Sequence, residues 1–382
     1  MDIWELNLRH LRAVLKIAEL GTVSAATGAV NLSQPAITQA LGRLEAALGV
    51  PLFERRHDGM VPTSAGTILH ARIAAALTHV RSPHVTMSRL RALLALADSG
   101  SYAGASQLTG LSLPSIHRAV NDLALALRRP LVARRGKFVV MTETGAQFAR
   151  EFRLAVVELE AGLSEIAALR GHETRRIAIG AMPLSRARVL PAAVARFMAR
   201  RPQVRLTIVE GSRAELVEPL RSGALDVMVG ALRNPLVETD LEQRALFSDV
   251  PVFLARRGHP LAGTRPGARE LARYPFCLPA RGPLRDSFDH YFREQGEHPA
   301  IPLESGSVMM IRQMMIDSDL LTLLSRDQVQ VELEAGWLCE LARLPDSLHR
   351  VIGMTTRQSL RPTTVQEEFF ADLLAAAGEI ED

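Results

Sequence analysis

The first 145 or so residues carry one segment twice, displaced by about 79 residues with no gap, and this limits the fold more than any other feature of the chain. Leu11-Arg12-Ala13 returns as Leu90-Arg91-Ala92, Gly21 as Gly100, and Leu32-Ser33 with Pro35 and Ile37 as Leu111-Ser112 with Pro114 and Ile116. The match continues through Leu44/Leu123, Leu48/Leu127, Pro51-Leu52/Pro130-Leu131, Arg55-Arg56/Arg134-Arg135, Thr63/Thr142 and Gly66/Gly145. About 21 of 59 aligned positions are identical, mostly apolar residues, Gly, Pro and Arg, so what is shared is a core and its turns. A unit of this length that recurs once is a duplicated domain, not a solenoid repeat.

The spacing within the first copy predicts three short helices. Leu8, Leu11, Val14, Leu15 and Ala18 form one helical face ended by Gly21. Val23 to about Ala29 is a second helix, crowded with small residues that let a neighbour approach closely. After a turn at Asn31-Leu32, Ser33 is expected to cap a third helix through its hydroxyl, with Pro35 in the first turn where a missing N–H costs nothing. Ile37, Leu41, Leu44 and Leu48 would be the buried stripe, leaving Gln34, Ala36, Thr38, Gln39, Gly42 and Arg43 facing outward. Two helices across a tight turn, the second presenting short polar side chains at its start, form a helix-turn-helix for a DNA major groove. Gln can bond adenine in two places and a Thr methyl can meet that of thymine. Leu52 to Thr63 then predicts a hairpin wing with Arg55 and Arg56 on backbone phosphates.

At these residues the chain resembles the LysR-type transcriptional regulators. The resemblance rests on Ala25-Ala26 in the second helix, the Ser33 to Thr38 recognition start, the Leu44 to Arg55 run, and Thr63 to Gly66 opening the next helix. It implies two tandem winged helix-turn-helix domains, residues 1–80 and 81–145, where one copy is usual. DNA contacts are expected from Ser33, Gln34, Pro35, Ala36, Thr38, Gln39, Arg43, Arg55 and Arg56, and in the second copy from Ser112, Ser115, His117, Arg118, Arg134 and Arg135. The second copy departs from the pattern. Leu113 replaces Gln34, His117-Arg118 replaces Thr38-Gln39, and Gly136-Lys137-Phe138 alters the wing tip. Either each protomer reads two half-sites, or the second copy is a scaffold.

Charge agrees with a nucleic-acid partner. Residues 1–150 hold about 17 Lys and Arg against 9 Asp and Glu, whereas the remainder holds about 28 against 32. The modest total of +4 therefore concentrates on the amino-terminal half. Phosphate contacts supply salt-dependent affinity, and the recognition helix supplies the choice of site.

Thr78 to His84 is a Pro-broken linker that cuts the helix begun near Thr63, but its counterpart in the second copy is not cut. From Thr142 it runs through Phe148, Phe152, Val156, Leu159, Leu163 and Ile166 to about Leu169, and so long a one-sided stripe needs a partner. The resemblance implies a linker and dimerisation helix over 142–170, pairing with its own copy in a dimer or tetramer; packing within the chain is the alternative.

Past a hinge at Gly171-His172-Glu173-Thr174, strands at 176–180, 204–209 and 225–230 alternate with helices at 185–200 and 214–221. This predicts a parallel, doubly wound α/β sheet with its site at the strand C-terminal ends. Residues 174–382 resemble the LysR effector domain, a two-lobed fold shared with periplasmic solute-binding proteins. The resemblance implies a small-molecule effector between the lobes, against loops that follow strands: Met182, Pro183, Leu184 and Ser185; Gly211 and Ser212; Ala231 and Leu232; Ala280 and Arg281; and Ser305 and Ser307. Val351 to Arg357 with Arg361-Pro362-Thr363 resembles the branch of galactose- and protocatechuate-responsive regulators, which suggests a sugar or a small organic acid.

Enzyme signatures are missing from the sequence: no HExxH among the eleven histidines, no GxSxG, no Walker loop and no GxGxxG after a strand. No cofactor or metal is expected. Cys277 and Cys339 stand far apart among apolar residues and are expected to be reduced thiols in a cytoplasmic protein. No signal-peptide pattern or apolar run of about 18 residues occurs. The expected function is a ligand-switched, DNA-binding transcription factor with RNA polymerase as a further partner and no membrane. A solute-binding module without DNA would account for residues 175–380 and leave the amino-terminal half unexplained.

Overall fold

The computed structural model describes residues 1–57, 59–136, 138–171 and 176–381. His172, Glu173 and Thr174 of the expected hinge, and Asp58 and Lys137 of the wings, lie outside the described residues. The chain divides into two compact units, Met1–Arg176 with Gln203–Arg205, and Ile177–Pro202 with Leu206–Asp382. Among the described residues no helix is long and apolar enough to cross a membrane.

The first unit repeats one order of elements. The first copy has α1 (Leu8–Leu20), α2 (Val23–Val30), α3 (Gln34–Leu48), β1 (Phe53–Arg56), β2 (Gly59–Pro62) and α4 (Ser64–His79). The second has α5 (Met87–Ser99), α6 (Tyr102–Thr109), α7 (Leu113–Leu127), β3 (Val132–Arg135), β4 (Phe138–Met141) and α8 (Glu143–Leu169). Gly21 and Gly100 end α1 and α5 in the left-handed conformation that glycine adopts without a Cβ penalty. Gly66 and Gly145 are required by space, since a Cβ on either would stand 2.0 and 1.9 Å from the carbonyl oxygens of Leu52 and Leu131 where the wing meets the next helix. Both wings are antiparallel two-stranded hairpins.

One apolar core spans both copies. The stripe of α8 is buried in it, with Phe152, Leu159 and Ile166 at 1% exposure, packed against α4, whose Leu69, Ile73 and Ala76 are equally buried. The helix expected to pair with a second chain therefore has its partner in its own chain. α4 ends at His79 ahead of Pro83, and α4 and α8 lie antiparallel, as the pairs Arg72–Glu158 and His79–Glu151 show, so that each covers the other's apolar face.

The second unit opens with β5 (Arg176–Ala181), α9 (Val189–Arg200), β6 (Arg205–Glu210), α10 (Arg213–Arg221), β7 (Val227–Ala231), β8 (Leu241–Asp249) and β9 (Pro251–Arg256). There follow α11 (Ala268–Leu271), β10 (Cys277–Leu278), α12 (Pro283–Glu294), β11 (Leu303–Glu304), α13 (Val308–Ile316), β12 (Thr322–Ser325), α14 (Gln330–Glu334), β13 (Leu338–Arg343), β14 (Arg350–Arg357) and α15 (Thr364–Glu381). A five-stranded sheet in the order β6-β5-β7-β14-β8 forms the first lobe, and β12-β9-β13 with the pair β10-β11 forms the second. The sheet is not wholly parallel as expected. β5 and β7 run parallel, but β14 is antiparallel to both β7 and β8, because the chain returns from the second lobe in the opposite direction. Each lobe has its own apolar cluster, one around Leu216, Leu220 and Met228, the other around the edge-to-face and tilted rings of Phe253, Phe276, Phe288 and Phe292.

Candidate DNA interface and effector cavity

In the first copy α3 buries Ile37, Ala40, Leu41, Leu44 and Leu48 and leaves Ser33, Gln34, Pro35, Thr38, Gln39 and Arg43 exposed on one face; Ala36 is half-buried. Ser33 holds the N-cap position and is exposed, but its hydroxyl makes no capping bond, so the expected cap is absent. Arg55 and Arg56 are exposed on the wing, Arg56 paired with Glu54 at 3.0 Å. Arg9, which the sequence reading passed over, adds its charge to this face, and His10 stands beside it. Burial, then the charges of Arg43 and Arg9, hold His10 below its ordinary value.

The second copy presents different chemistry from the same frame. Ser112 does cap α7, through Ser115, and the two hydroxyls bond each other at 2.8 Å. Arg118, Arg134 and Arg135 are exposed, as is Leu113 where the first copy has Gln34. His117 departs from the expectation of a base contact. Its ring is half-buried and stacks on Tyr102 of α6, centroids 3.6 Å apart and 18° from parallel, because a flat side chain at this position finds an aromatic partner where the first copy offers Val23.

Between the lobes of the second unit lies a cavity of about 670 Å³. Of the expected effector residues it is lined by Met182, Pro183, Leu184, Gly211, Ser212, Ala231, Arg281 and Ser305. The other four do not reach it. Ser185 is fully buried with its hydroxyl donated to the Met182 carbonyl at 2.9 Å, Ser307 caps α13 at the Met310 N–H, Leu232 packs over Gly353, and Ala280 faces solvent. Ser212 also spends its hydroxyl locally, on Glu215 at 2.7 Å. That bond first, and the charge of Arg281 as well, hold Glu215 below the usual carboxylate range.

The charges that dominate the cavity were missed. Arg186, Arg213, Arg233, Arg281 and Arg350 line it against two carboxylates, Glu210 and Asp286. Arg186 pairs with Glu210, Arg213 with Glu238 at 2.8 Å, and Arg350 with the buried Asp249 at 2.5 Å. Arg213 and Arg350 each retain a buried guanidinium nitrogen with no protein partner. Arg186, Arg213 and Arg233 stand one residue beyond loop positions already singled out, so the strand-end rule extended by a residue finds them. Arg350 begins an antiparallel strand that nothing in the sequence connects to the cavity. The remaining walls are mostly apolar, with Leu284, Val308, Ile311 and Leu324, and Gln328 adds an amide.

Comparison with known proteins agrees with this architecture. The family described as "Bacterial regulatory helix-turn-helix protein, lysR family" matches twice, at residues 8–67 and 87–146. The "LysR substrate binding domain" matches residues 170–378. The chain is 33% identical over 375 residues to the HTH-type transcriptional regulator GalR of Pseudomonas putida, covering 94% of each chain. It is 25% identical over 303 residues to the HTH-type transcriptional regulator PcaQ of Agrobacterium fabrum, 78% of this chain and 97% of that one. In fold it is similar to ArgP from Mycobacterium tuberculosis, with a TM-score of 0.61 at 17% identity over 76% of this chain and 96% of the other. A full-length OxyR variant from Pseudomonas aeruginosa gives 0.55 at 20% identity over 77% and 95%. The chain belongs to the LysR family of bacterial transcriptional regulators. It is a DNA-binding transcription factor with a carboxy-terminal effector-binding domain.

Proposed function

We propose that the protein controls transcription through sequence-specific contacts from α3, in response to a small organic acid held between the lobes. Ser33, Gln34, Thr38 and Gln39 meet base edges and neighbouring phosphates, while Arg43, Arg55 and Arg56 take the backbone. A solved structure of similar fold is full-length CbnR complexed with its target DNA, which supports the same use here. The functional divisions are residues 1–80 and 81–145 for DNA, 142–170 for the connecting helix and 174–382 for the effector. The protein works in the cytoplasm, with itself and RNA polymerase as partners, and leaves its effector chemically unchanged.

The observation that carries the effector reading is the excess of guanidinium groups over carboxylates among the residues lining the cavity. Arg suits the planar fork of a carboxylate, so an acid with an apolar body fits better than a neutral sugar. Thermal unfolding with a panel of small carboxylates and size-matched neutral sugars tests this. Acids raising the Tm of the parent, and not of an Arg213→Gln variant, is the expected result; stabilisation by sugars alone would overturn it.

A further inference from the structure

The contact between α4 and α8 has an internal symmetry. The 79-residue displacement of the repeat maps Leu69, Ile73, Ala76 and Val80 onto Phe148, Phe152, Ala155 and Leu159, and both sets pack into the one core. It also maps Arg72 onto Glu151 and His79 onto Glu158. The observed pairs are Arg72 with Glu158, at 3.0 Å, and His79 with Glu151, at 2.6 Å. Position 72 of one copy therefore meets position 79 of the other, and the reverse holds as well. This reciprocal pattern defines a two-fold, self-complementary interface. α8 continues past the symmetric region and adds Glu165, which receives two hydrogen bonds from Arg72 at 2.7 and 3.1 Å, while Gly162 leaves room for the arginine stem.

Sequence breaks the symmetry by sign. The first copy contributes Arg and His at the two positions, and the second contributes Glu at both. Two copies of α4 arranged this way would set Arg72 against His79, and two copies of α8 would set Glu151 against Glu158. Only the unlike pair is electrostatically matched, which is how an interface selects one partner by excluding others.

We infer that the amino-terminal unit is a two-fold dimer folded within one chain, its copies keyed by charge across α4 and α8, so that a single chain presents both reading heads to a duplex bearing two unlike half-sites. The face of α8 is occupied and takes no second chain. The half-sites differ because α3 offers Gln34, Thr38 and Gln39 where α7 offers the exposed Leu113 and Arg118, His117 being stacked on Tyr102. The DNA consequence rests on the reading of α3 and α7 as DNA-binding helices; the pairing does not.

Three full-length variants test it without DNA: Arg72→Glu; Glu158→Arg with Glu165→Arg; and all three changes in one chain. Each of the first two is expected to lower the Tm on the order of 10 °C, since half of a buried ion pair is left uncompensated. The triple variant is expected to recover most of that loss. Co-expressing the first two as separate chains is expected to give no recovery, because the matching charges lie on different molecules. Recovery on co-expression would show pairing between chains, and no recovery in the triple variant would show that charge does not key the contact; either overturns the inference. Native mass measurement on a selected duplex then counts chains against protected half-sites, with one chain per two half-sites expected. One chain per half-site alongside cis-only rescue would refute the two-reader consequence and leave the pairing intact.

Discussion

Replacing Gly145 by alanine isolates the junction that aims the second wing. The new Cβ would stand 1.9 Å from the Leu131 carbonyl oxygen, and an ordinary contact begins near 3.4 Å, so helix and wing must separate by about 1.5 Å. The obstacle is backbone, which cannot swing aside as a side chain would. Overpacking costs about 1–3 kcal/mol and here lies at or above the top of that range, while the gain in helix propensity over glycine returns about 1 kcal/mol. The net loss is about 2 kcal/mol, or roughly 4–8 °C in the transition of a unit this size. Gly42 is the control. It is also helical, on the exposed face of α3, with nothing within 4 Å of its Cβ, so alanine there should stabilise by up to about 1 kcal/mol. Thermal unfolding of the two full-length variants reads both signs in one experiment. A Gly145→Ala variant at or above the parent Tm would refute the argument that the wing carbonyl rests against this helix.

Gln34→Ala with Thr38→Ala should relax the choice of DNA sequence by about 1–3 kcal/mol, measured by competition between specific and random duplexes. His117→Ala should change DNA affinity little but lower the Tm through the lost stack on Tyr102, whereas Arg118→Ala should relax the choice of sequence at the second half-site. Arg350→Met should lose acid binding and also stability, because it leaves the buried Asp249 without its partner; Arg281→Met, on an exposed side chain, should lose binding alone. His259 is buried and held below its ordinary value of 6.5, chiefly by desolvation. The unfolded chain therefore takes up its proton first, so its contribution to stability is full above pH 6.5 and declines as the pH falls through that value. A His259→Asn variant should flatten this part of the pH profile of Tm.

The helices were legible because local signals agreed with the global fold. α1, α2, α3 and α8 begin and end within a residue or two of where apolar periodicity, Gly21, Pro35 and Thr142 put them. What α8 would pack against was not legible, since a one-sided stripe states that a partner exists and not whose it is. The paired signs at positions 72 and 79 and their 79-residue equivalents were present in the repeat, and became informative only once the antiparallel register was known. The strand-end loops led to eight of the cavity's residues, because a doubly wound sheet gathers those ends. They missed Arg350, which arrives on an antiparallel strand, and they included Ser185, whose hydroxyl is donated back to the Met182 carbonyl, and Ser307, whose hydroxyl caps α13. A polar residue at a helix start has two uses, and sequence does not say which one it serves.

Selection of bound fragments from genomic DNA by the purified full-length protein, followed by footprinting of the enriched site, tests the central claim most directly. The account predicts a discrete enriched sequence, binding that weakens steeply with salt, and a footprint holding two dissimilar half-sites whose occupancy changes when a small organic acid is added. Recovery of no enriched sequence, or retention of DNA that is indifferent to sequence, would contradict it.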